Sequence, residues 1–405
     1  MSAPVTVLMS TYNRRHFLQQ AIEGLLAQSV RPRQIVIVND GSTDGTAALL
    51  AGYRDKLQVI EQANAGKSAA LNRAIPAIEQ EFVWVFDDDD VPFPDALERH
   101  LRCLQRHPEA DFSYSASVKA ATGPTGQLIP QVPRPPVAVA PEQLFCEMLE
   151  RCVFLQQGSL VRTPAFVSVG GYSPALYRSL DYDFLLRLTR HHSGVALDHP
   201  TFWWRQHDGR RGHAAGPIAA AQRLWHWYGN NKTIFRTLYN SLHLWEYVPH
   251  KPGVRPAEVD LRQARLSRFK VAALRGLWPE ALDDLGELLA PHNRTEPPLD
   301  LASMGRALSQ PLAIADLLAD EALLSRMLTL MRGDGRSELK TLFAQRCYYA
   351  ALKNRALHTG PNGLRYLQAI ARTMGARGLA SLAEQKLAVA FNGAKQQTQV
   401  PRNRI

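Results

Sequence analysis

Phe82-Val83-Trp84-Val85-Phe86-Asp87-Asp88-Asp89-Asp90 sets five apolar residues directly against four carboxylates. The apolar half, β-branched and aromatic throughout, reads as a strand buried on both faces, the kind found in parallel sheets. Two other runs have the same form. Val5-Thr-Val-Leu-Met9 breaks into Ser10-Thr-Tyr-Asn13, and Gln34-Ile-Val-Ile-Val38 breaks into Asn39-Asp40-Gly41-Ser42. A shorter run, Leu57-Gln-Val-Ile60, precedes Asn64. Helical spacing fills the gaps at 16–28, with Leu18, Ala21, Ile22 and Leu25 on one face, and again at 44–52 and 67–79. Strand alternating with helix predicts an α/β fold: a Rossmann-like, mostly parallel central sheet covered by helices on both faces. Thr11, Asp40, Asn64 and Asp87 to Asp90 then gather at the carboxyl edge of that sheet, where ligands bind in open α/β folds.

Outward from this core the chain changes character. Residues 120–141 hold six prolines from Pro124 onward and read as a loop or extended excursion over the site. Strand signals largely stop after Gly216, and helical patterns run from 217 to 392. They are broken at Pro249–Pro256, Pro291–Pro298 and Thr359–Asn362, with no fixed repeat period. The expected division is an α/β domain over 1–215, an all-helical C-terminal domain over 216–392 and a basic tail over 393–405.

The 405 residues are 45% hydrophobic and 21% charged, which excludes disorder for the bulk of the chain and leaves room for two cores. No run of 18 apolar residues occurs, so no membrane-spanning helix is expected. Met1-Ser-Ala-Pro-Val-Thr-Val lacks the regions of a secretory signal, and a cytoplasmic location is expected. Cys103, Cys146, Cys152 and Cys347 are too scattered for a zinc site and are expected as reduced, mostly buried thiols. The net charge of +10 is uneven: residues 1–200 carry −3 and residues 201–405 carry +13. A basic half fits either a solvated surface or attraction to a polyanion such as an anionic membrane. No nucleic-acid recognition motif accompanies it, so nucleic acid is not an expected partner.

Four adjacent carboxylates repel one another and raise one another's pKa, so stability is a poor reason for them. A divalent cation with hard oxygen ligands, Mn²⁺ or Mg²⁺, removes the repulsion and can hold phosphate oxygens on its far side. Asn64-Ala-Gly66-Lys67-Ser68 is not a P-loop, because Glu61 stands where the first glycine is required. A glycine turn that opens a helix with a lysine in its first turn still suits phosphate. Ser179-Leu180-Asp181-Tyr182-Asp183 opens another helix with two aspartates, which suit the helix dipole and include a possible general base in Asp181. Trp203-Trp204-Arg205-Gln206-His207 reads as a basic, aromatic lid.

In this order the motifs resemble glycosyltransferase family 2, inverting enzymes of the GT-A fold, over roughly residues 3–212. The resemblance rests on Thr11-Tyr12-Asn13-Arg14, Asn39-Asp40-Gly-Ser-Thr-Asp-Gly-Thr, Asn64-x-Gly66-Lys67-x-x-Ala-Leu-Asn72 and Asp87 to Asp90. It continues through Val-Gly170-Gly171-Tyr172, Asp181-Tyr-Asp-Phe-Leu-Leu-Arg187 and Trp-Arg205-x-His207. It implies a nucleotide-sugar donor, usually UDP- or dTDP-linked, and a glycan or lipid-linked acceptor in surface polysaccharide or lipopolysaccharide synthesis. Thr11, Tyr12 and Asp40 would line the base, with Asp40 meeting the uracil or thymine imide; Asn13 would belong to the same nucleotide-sugar site, Lys67 would reach phosphate, and Asp87 or Asp88 would hold the ribose side. Asp89 would ligate Mn²⁺ or Mg²⁺, Arg205 and His207 would close over the diphosphate, and Asp181, with Asp183 as the other candidate, would deprotonate the acceptor. The competing reading is a sugar-nucleotide-binding scaffold protein that works through its helical half.

Overall fold

The computed structural model describes residues 2–133, 138–176, 178–207, 220–290, 299–333, 335–356 and 365–375. The chain forms two compact units, Met1–Ala219 with Val248–Val259, and Ala220–Tyr247 with Asp260–Ile405. The expected tail at 393–405 lies outside the described residues.

The first unit opens with β1 (Ser2–Thr11), α1 (Arg15–Leu26), β2 (Arg31–Asp40), α2 (Thr46–Ala51), β3 (Gln58–Gln62), α3 (Lys67–Ala74) and β4 (Phe82–Val85). These four strands are mutually parallel in the order β4-β1-β2-β3, with Val7 level with Ile35 and with Trp84. Val5, Val7, Leu8, Met9, Val36, Ile37, Val38 and Trp84 are wholly buried, as their unbroken apolar runs require. Leu18, Ala21, Ile22 and Leu25 of α1 are equally buried in the same core. The helix expected over 67–79 ends at Ala74. Pro76 lacks the N–H that would continue it, and Ile75–Ala77 tightens into a 3₁₀ turn.

The rest of the unit contains β5 (Val91–Pro92), α4 (Ala96–Arg106), β6 (Phe112–Tyr114), β7 (Val118–Thr122) and β8 (Leu128–Pro133). It continues with α5 (Pro141–Glu150), β9 (Ser159–Arg162), α6 (Thr163–Ser168), α7 (Leu180–His191), β10 (Gly194–Ala196) and β11 (Phe202–Gln206). Among the described residues the main sheet has the order β10-β6-β9-β4-β1-β2-β3, and β9 runs antiparallel to both its neighbours. A second sheet has the order β5-β11-β7-β8. Much of the proline-rich stretch is therefore a hairpin rather than a loop: β7 pairs antiparallel with β8, and Pro130 and Pro133 sit on the edge strand, where a missing N–H is tolerated. Residues 134–137 lie outside the described residues.

The second unit is helical: α8 (Ala220–Ser241), α9 (Leu261–Leu274), α10 (Trp278–Leu288), α11 (Leu301–Ala307), α12 (Pro311–Ala319), α13 (Glu321–Leu330), α14 (Ser337–Ala356) and a further helical stretch at 365–375. Aspartates cap these helices, with Asp260, Asp300 and Asp320 accepting from first-turn amides. Trp278 is buried and donates its indole N–H to Ala313 O at 2.6 Å. Asp284, 1% exposed, is held by both arms of Arg268 at 2.6 and 2.8 Å. Among the described residues, no helix is long and apolar enough to cross a membrane. Of the four cysteines only Cys347 is buried; Cys103, Cys146 and Cys152 are half-buried, so the expectation of mostly buried thiols does not hold.

His100 of α4 ties the two sheets' supports together. Its Nδ1 lies 2.9 Å from Ser113 Oγ and its Nε2 3.3 Å from Thr201 Oγ1, all three residues fully buried. Burial pushes its pKa down from 6.5 to about 3. The folded chain then keeps the ring neutral where the unfolded chain protonates it, so stability falls as pH drops below 6.5. The slope from this group is about 1.4 kcal/mol per pH unit until the folded value is reached. Between pH 7.5 and 5 the wild type is expected to lose about 2 kcal/mol more than His100→Gln in urea unfolding. Equal acid losses would show that the folded ring is not held neutral.

Candidate functional site

The turn after β4 carries the acidic run. Phe86 N–H still donates to Leu8 O at 2.9 Å, after which the chain leaves the sheet. One carboxylate oxygen each from Asp87, Asp89 and Asp90 falls within 4.8 Å of the others. Lys67 Nζ, at the start of α3, lies 2.5 Å from Asp87 Oδ1, and His207 Nε2, after β11, lies 2.9 Å from Asp89 Oδ2. Asp90 is 1% exposed; the Arg205 backbone N–H donates to its Oδ1 at 2.8 Å. The amide of Gln157 donates to Asp87 Oδ2 at 2.5 Å and to Asp90 Oδ2 at 3.0 Å. Burial works against the charge on Lys67, but Asp87 first and then Asp181 outweigh it and hold the ammonium well above its usual pKa.

Asp88 stands apart from that group. Burial and the neighbouring Asp89 push its carboxyl up to about 7, while Arg14 and the Thr11 hydroxyl pull it down. Thr11 is buried at the end of β1, and Tyr12, next to it, is half-buried. Asn13 takes a left-handed φ of 52° and ties two loops together. Its side-chain oxygen accepts from Thr43 N–H at 2.7 Å, and its own N–H donates to Ser42 Oγ at 3.0 Å. Asp40, 3% exposed, holds the turn into α3: it accepts from Gln62 Nε2 at 2.7 Å and from the N–H groups of Ala65 and Gly66 at 2.8 Å each. These bonds aim Lys67 at Asp87.

Arg205, expected to close over the diphosphate, sits beneath the acidic turn. It is wholly buried, donates from Nε to Asp89 O at 2.7 Å, contacts Gln20 and Gly126 O, and lies 4.9 Å from the Phe17 ring centroid. Its five donors braid the acidic turn, α1 and the tip of the β7–β8 hairpin, which is why so polar a side chain tolerates the interior. His207 remains beside the acidic group, its ring tilted at 48° to that of Phe17 with 4.6 Å between centroids.

The two aspartates of α7 differ. Asp183 accepts from Arg187 Nε at 3.1 Å and NH2 at 2.7 Å, and the same guanidinium donates to Val169 O and Gly171 O. Asp181, half-buried in the first turn, lies close enough to Lys67 and Asp87 to act on both. The loop that leads into α7 is fixed from α3. Asn72 accepts from Tyr172 N–H and donates to Tyr172 O, both at 2.8 Å, and Ser68 Oγ donates to Leu176 O at 2.9 Å.

Sequence reasoning singled out Asp89 alone as metal ligand, whereas geometry adds Asp87 and Asp90; it missed Gln157, Gln20 and Phe17 altogether. Several buried polar atoms of this edge have no partner among the described residues: Asn64 Oδ1, Gln156 Oε1, Gln157 Oε1, Ser179 Oγ and Gln206 Nε2. Buried polar groups are normally satisfied, so such a concentration marks a place for ligand or ordered water. Three converging carboxylates with unmatched polar atoms around them fit a hard divalent cation.

Gly171 takes φ 75°, and an added Cβ would lie 2.7 Å from Asn72 Oδ1. Gly171→Ala is expected to lower stability by about 1–3 kcal/mol through backbone strain and loss of the Asn72 staple. An unchanged melting temperature would show that the staple is not needed.

Residues 6–130 match the family model "Glycosyl transferase family 2". An uncharacterized glycosyltransferase of Rickettsia typhi is 27% identical over 203 residues, covering 48% of this chain and 61% of that protein. The chain thus spans about three-fifths of the length of that curated relative. The putative glycosyltransferase EpsE of Bacillus subtilis is 32% identical over 108 residues, covering 25% of this chain and 39% of its own. Among solved structures, S. aureus TarS residues 1–349, in complex with UDP-GlcNAc, is similar with a TM-score of 0.51 at 19% identity, over 91% of this chain and 90% of that one. Residues 6–130 thus match glycosyltransferase family 2, and the fold is GT-A-like, with a mostly parallel sheet followed by a helical C-terminal region.

Proposed function

We propose that the first unit transfers a glycosyl group from a nucleoside-diphosphate sugar to a hydroxyl, inverting the anomeric carbon. The observation that carries this reading is the convergence of Asp87, Asp89 and Asp90 with Lys67 at one sheet edge, beside the helix turn that bears Asp181. In the reaction the acceptor oxygen forms a bond to the anomeric carbon as the bond to the diphosphate oxygen breaks. The acceptor proton passes to Asp181, and the diphosphate leaves with the bonding pair. Asp89, with Asp87 and Asp90, would hold Mn²⁺ or Mg²⁺, which supplies positive charge to the departing diphosphate. Lys67 stays protonated and can add its charge to phosphate. Thr11, Tyr12 and Asp88 line the nucleoside side. Asn13 and Asp40 support that wall through the loops they tie, and Arg205 acts as a positioning residue beneath Asp89 and Asp90.

TarS was solved with UDP-GlcNAc, which makes UDP the first nucleotide to try. A glycan or lipid-linked acceptor in surface polysaccharide or lipopolysaccharide synthesis fits the resemblance. The +13 charge of residues 201–405 supports docking on an anionic membrane at the cytoplasmic face. Failure to co-sediment with anionic vesicles at low salt would remove the membrane part.

Calorimetric titration of UDP, dTDP and GDP, each with and without Mn²⁺, tests the donor site. Binding that needs Mn²⁺ and disappears in Asp89→Ala is expected; no binding of any nucleotide by folded wild type overturns the reading. Asp181→Asn is expected to keep nucleotide binding and lose about 10²–10⁴-fold in turnover. Asp183→Asn should lower the melting temperature instead, through the lost Arg187 pair. The reverse pattern would transfer the base role to Asp183.

A further inference from the structure

Gln157 belongs to a 3₁₀ turn, Gln156–Gly158, directly before β9. Because β9 runs antiparallel to β4, its beginning lies where β4 ends, beside the acidic turn. The turn is pinned from two sides. Trp84 Nε1, buried on β4, donates to Gln157 O at 2.8 Å, and a Cβ on Gly158 would lie 2.9 Å from Ser115 Oγ and 3.0 Å from Phe202. The backbone under Gln157 therefore has little freedom. Its side chain is 5% exposed and reaches two carboxylates with one amide nitrogen, Asp87 Oδ2 at 2.5 Å and Asp90 Oδ2 at 3.0 Å. Both amide hydrogens are thereby engaged, which fixes the orientation of the carboxamide. Its oxygen, Gln157 Oε1, is buried there with no partner among the described residues.

We propose that Gln157 is the positioning residue of the cation seat: it sets the rotamers of Asp87 and Asp90 so that, with Asp89, they face one divalent ion. The inference rests on the metal-dependent reading given above. A neutral amide suits the task better than a cation would. It bridges two carboxylates without cancelling the negative charge that attracts the ion, and its carbonyl is left to accept from a water or hydroxyl in the site. Lys67 and the Arg205 backbone N–H hold the opposite oxygens of Asp87 and Asp90, so removal of Gln157 frees one side of each carboxylate while the other stays anchored. Outer-shell partners of this kind are commonly worth about 10–100-fold in metal affinity.

Mn²⁺ binding, read by electron paramagnetic resonance of the free ion in the absence of nucleotide, separates positioning from structure. Wild type, Gln157→Leu, Gln157→Glu and Asp89→Asn are titrated with Mn²⁺, and the melting temperature of each is followed with and without the ion. Gln157→Leu keeps the volume of the side chain and loses both polar ends; a fall of about 10–100-fold in Mn²⁺ affinity at near-wild-type melting temperature is expected. Gln157→Glu adds a fourth carboxylate to the cluster, so it should melt lower than wild type without the ion and gain more from Mn²⁺ than wild type does. Mn²⁺ affinities within threefold of wild type in both variants, with binding lost in Asp89→Asn, would overturn the positioning role and leave the metal site intact. Absence of any Mn²⁺ binding by folded wild type would overturn the metal reading and this inference with it.

Discussion

Asp87, Asp89 and Asp90 bring three carboxylates within 4.8 Å at the end of a buried strand, and most of the surrounding structure can be understood as the means of keeping them there. Left alone, such charges would splay into solvent or take up protons. Here β4 delivers them rigidly, since Trp84 and its apolar neighbours are locked between β1 and β9. Donors then arrive from four separate elements: Lys67 from α3, Gln157 from the turn before β9, the Arg205 N–H from β11 and His207 just beyond it. Lys67 meets Asp87 with a full charge, whereas Gln157 and the Arg205 N–H are neutral donors that orient the carboxylates without cancelling them.

The same carboxylates couple the two sheets. Asp90 is bonded to β11 of the smaller sheet, and Asp89 gives its carbonyl to Arg205, which reaches on to Gln20 and the hairpin tip at Gly126. A buried guanidinium contributes little net stability, because its desolvation offsets much of what its bonds return. Its five directed donors do fix geometry, and geometry is what the acidic turn requires. The hairpin that looks from composition like a loose proline-rich loop is held at its tip by the residue that steadies the site.

Legibility in the sequence followed a physical rule and failed where the rule did. Parallel strands buried on both faces announce themselves as unbroken apolar runs, so β1, β2 and β4 and the polar residues at their carboxyl ends could be read directly. Gln157 could not, because it precedes its strand. In a parallel sheet that position lies at the far edge from the ligand; only the antiparallel course of β9 brings it to the near one, and no local signal in Gln156-Gln157-Gly158 reports strand direction. Asn13, Asp40 and Arg205 show the opposite failure. Their place at the edge was legible, but their bonds run to Thr43, to the Ala65–Gly66 turn and to Asp89 O, and partners so distant in sequence leave no spacing to read.

The start of α7 shows how fold and chemistry divide between two aspartates. Residues two apart on a helix point to different sides, so Asp181 and Asp183 cannot both face the acidic group. Arg187, one turn on from Asp183, takes that carboxylate and also ties down Val169 O and Gly171 O, binding the loop that precedes the helix. The helix is thereby rotated so that the other aspartate is the one near Lys67 and Asp87. Ser179 meets the remaining constraint: it adopts φ 57°, costly for a residue with a side chain, and buries its Oγ without a partner among the described residues. A strained cap persists where surrounding contacts over-determine it, and here Asn72 and Ser68 of α3 hold the incoming loop from the side. The helix that carries Lys67 therefore fastens the loop that leads into the helix of the candidate base, so side-chain bonds to that loop, and not loop length alone, govern how the two groups approach.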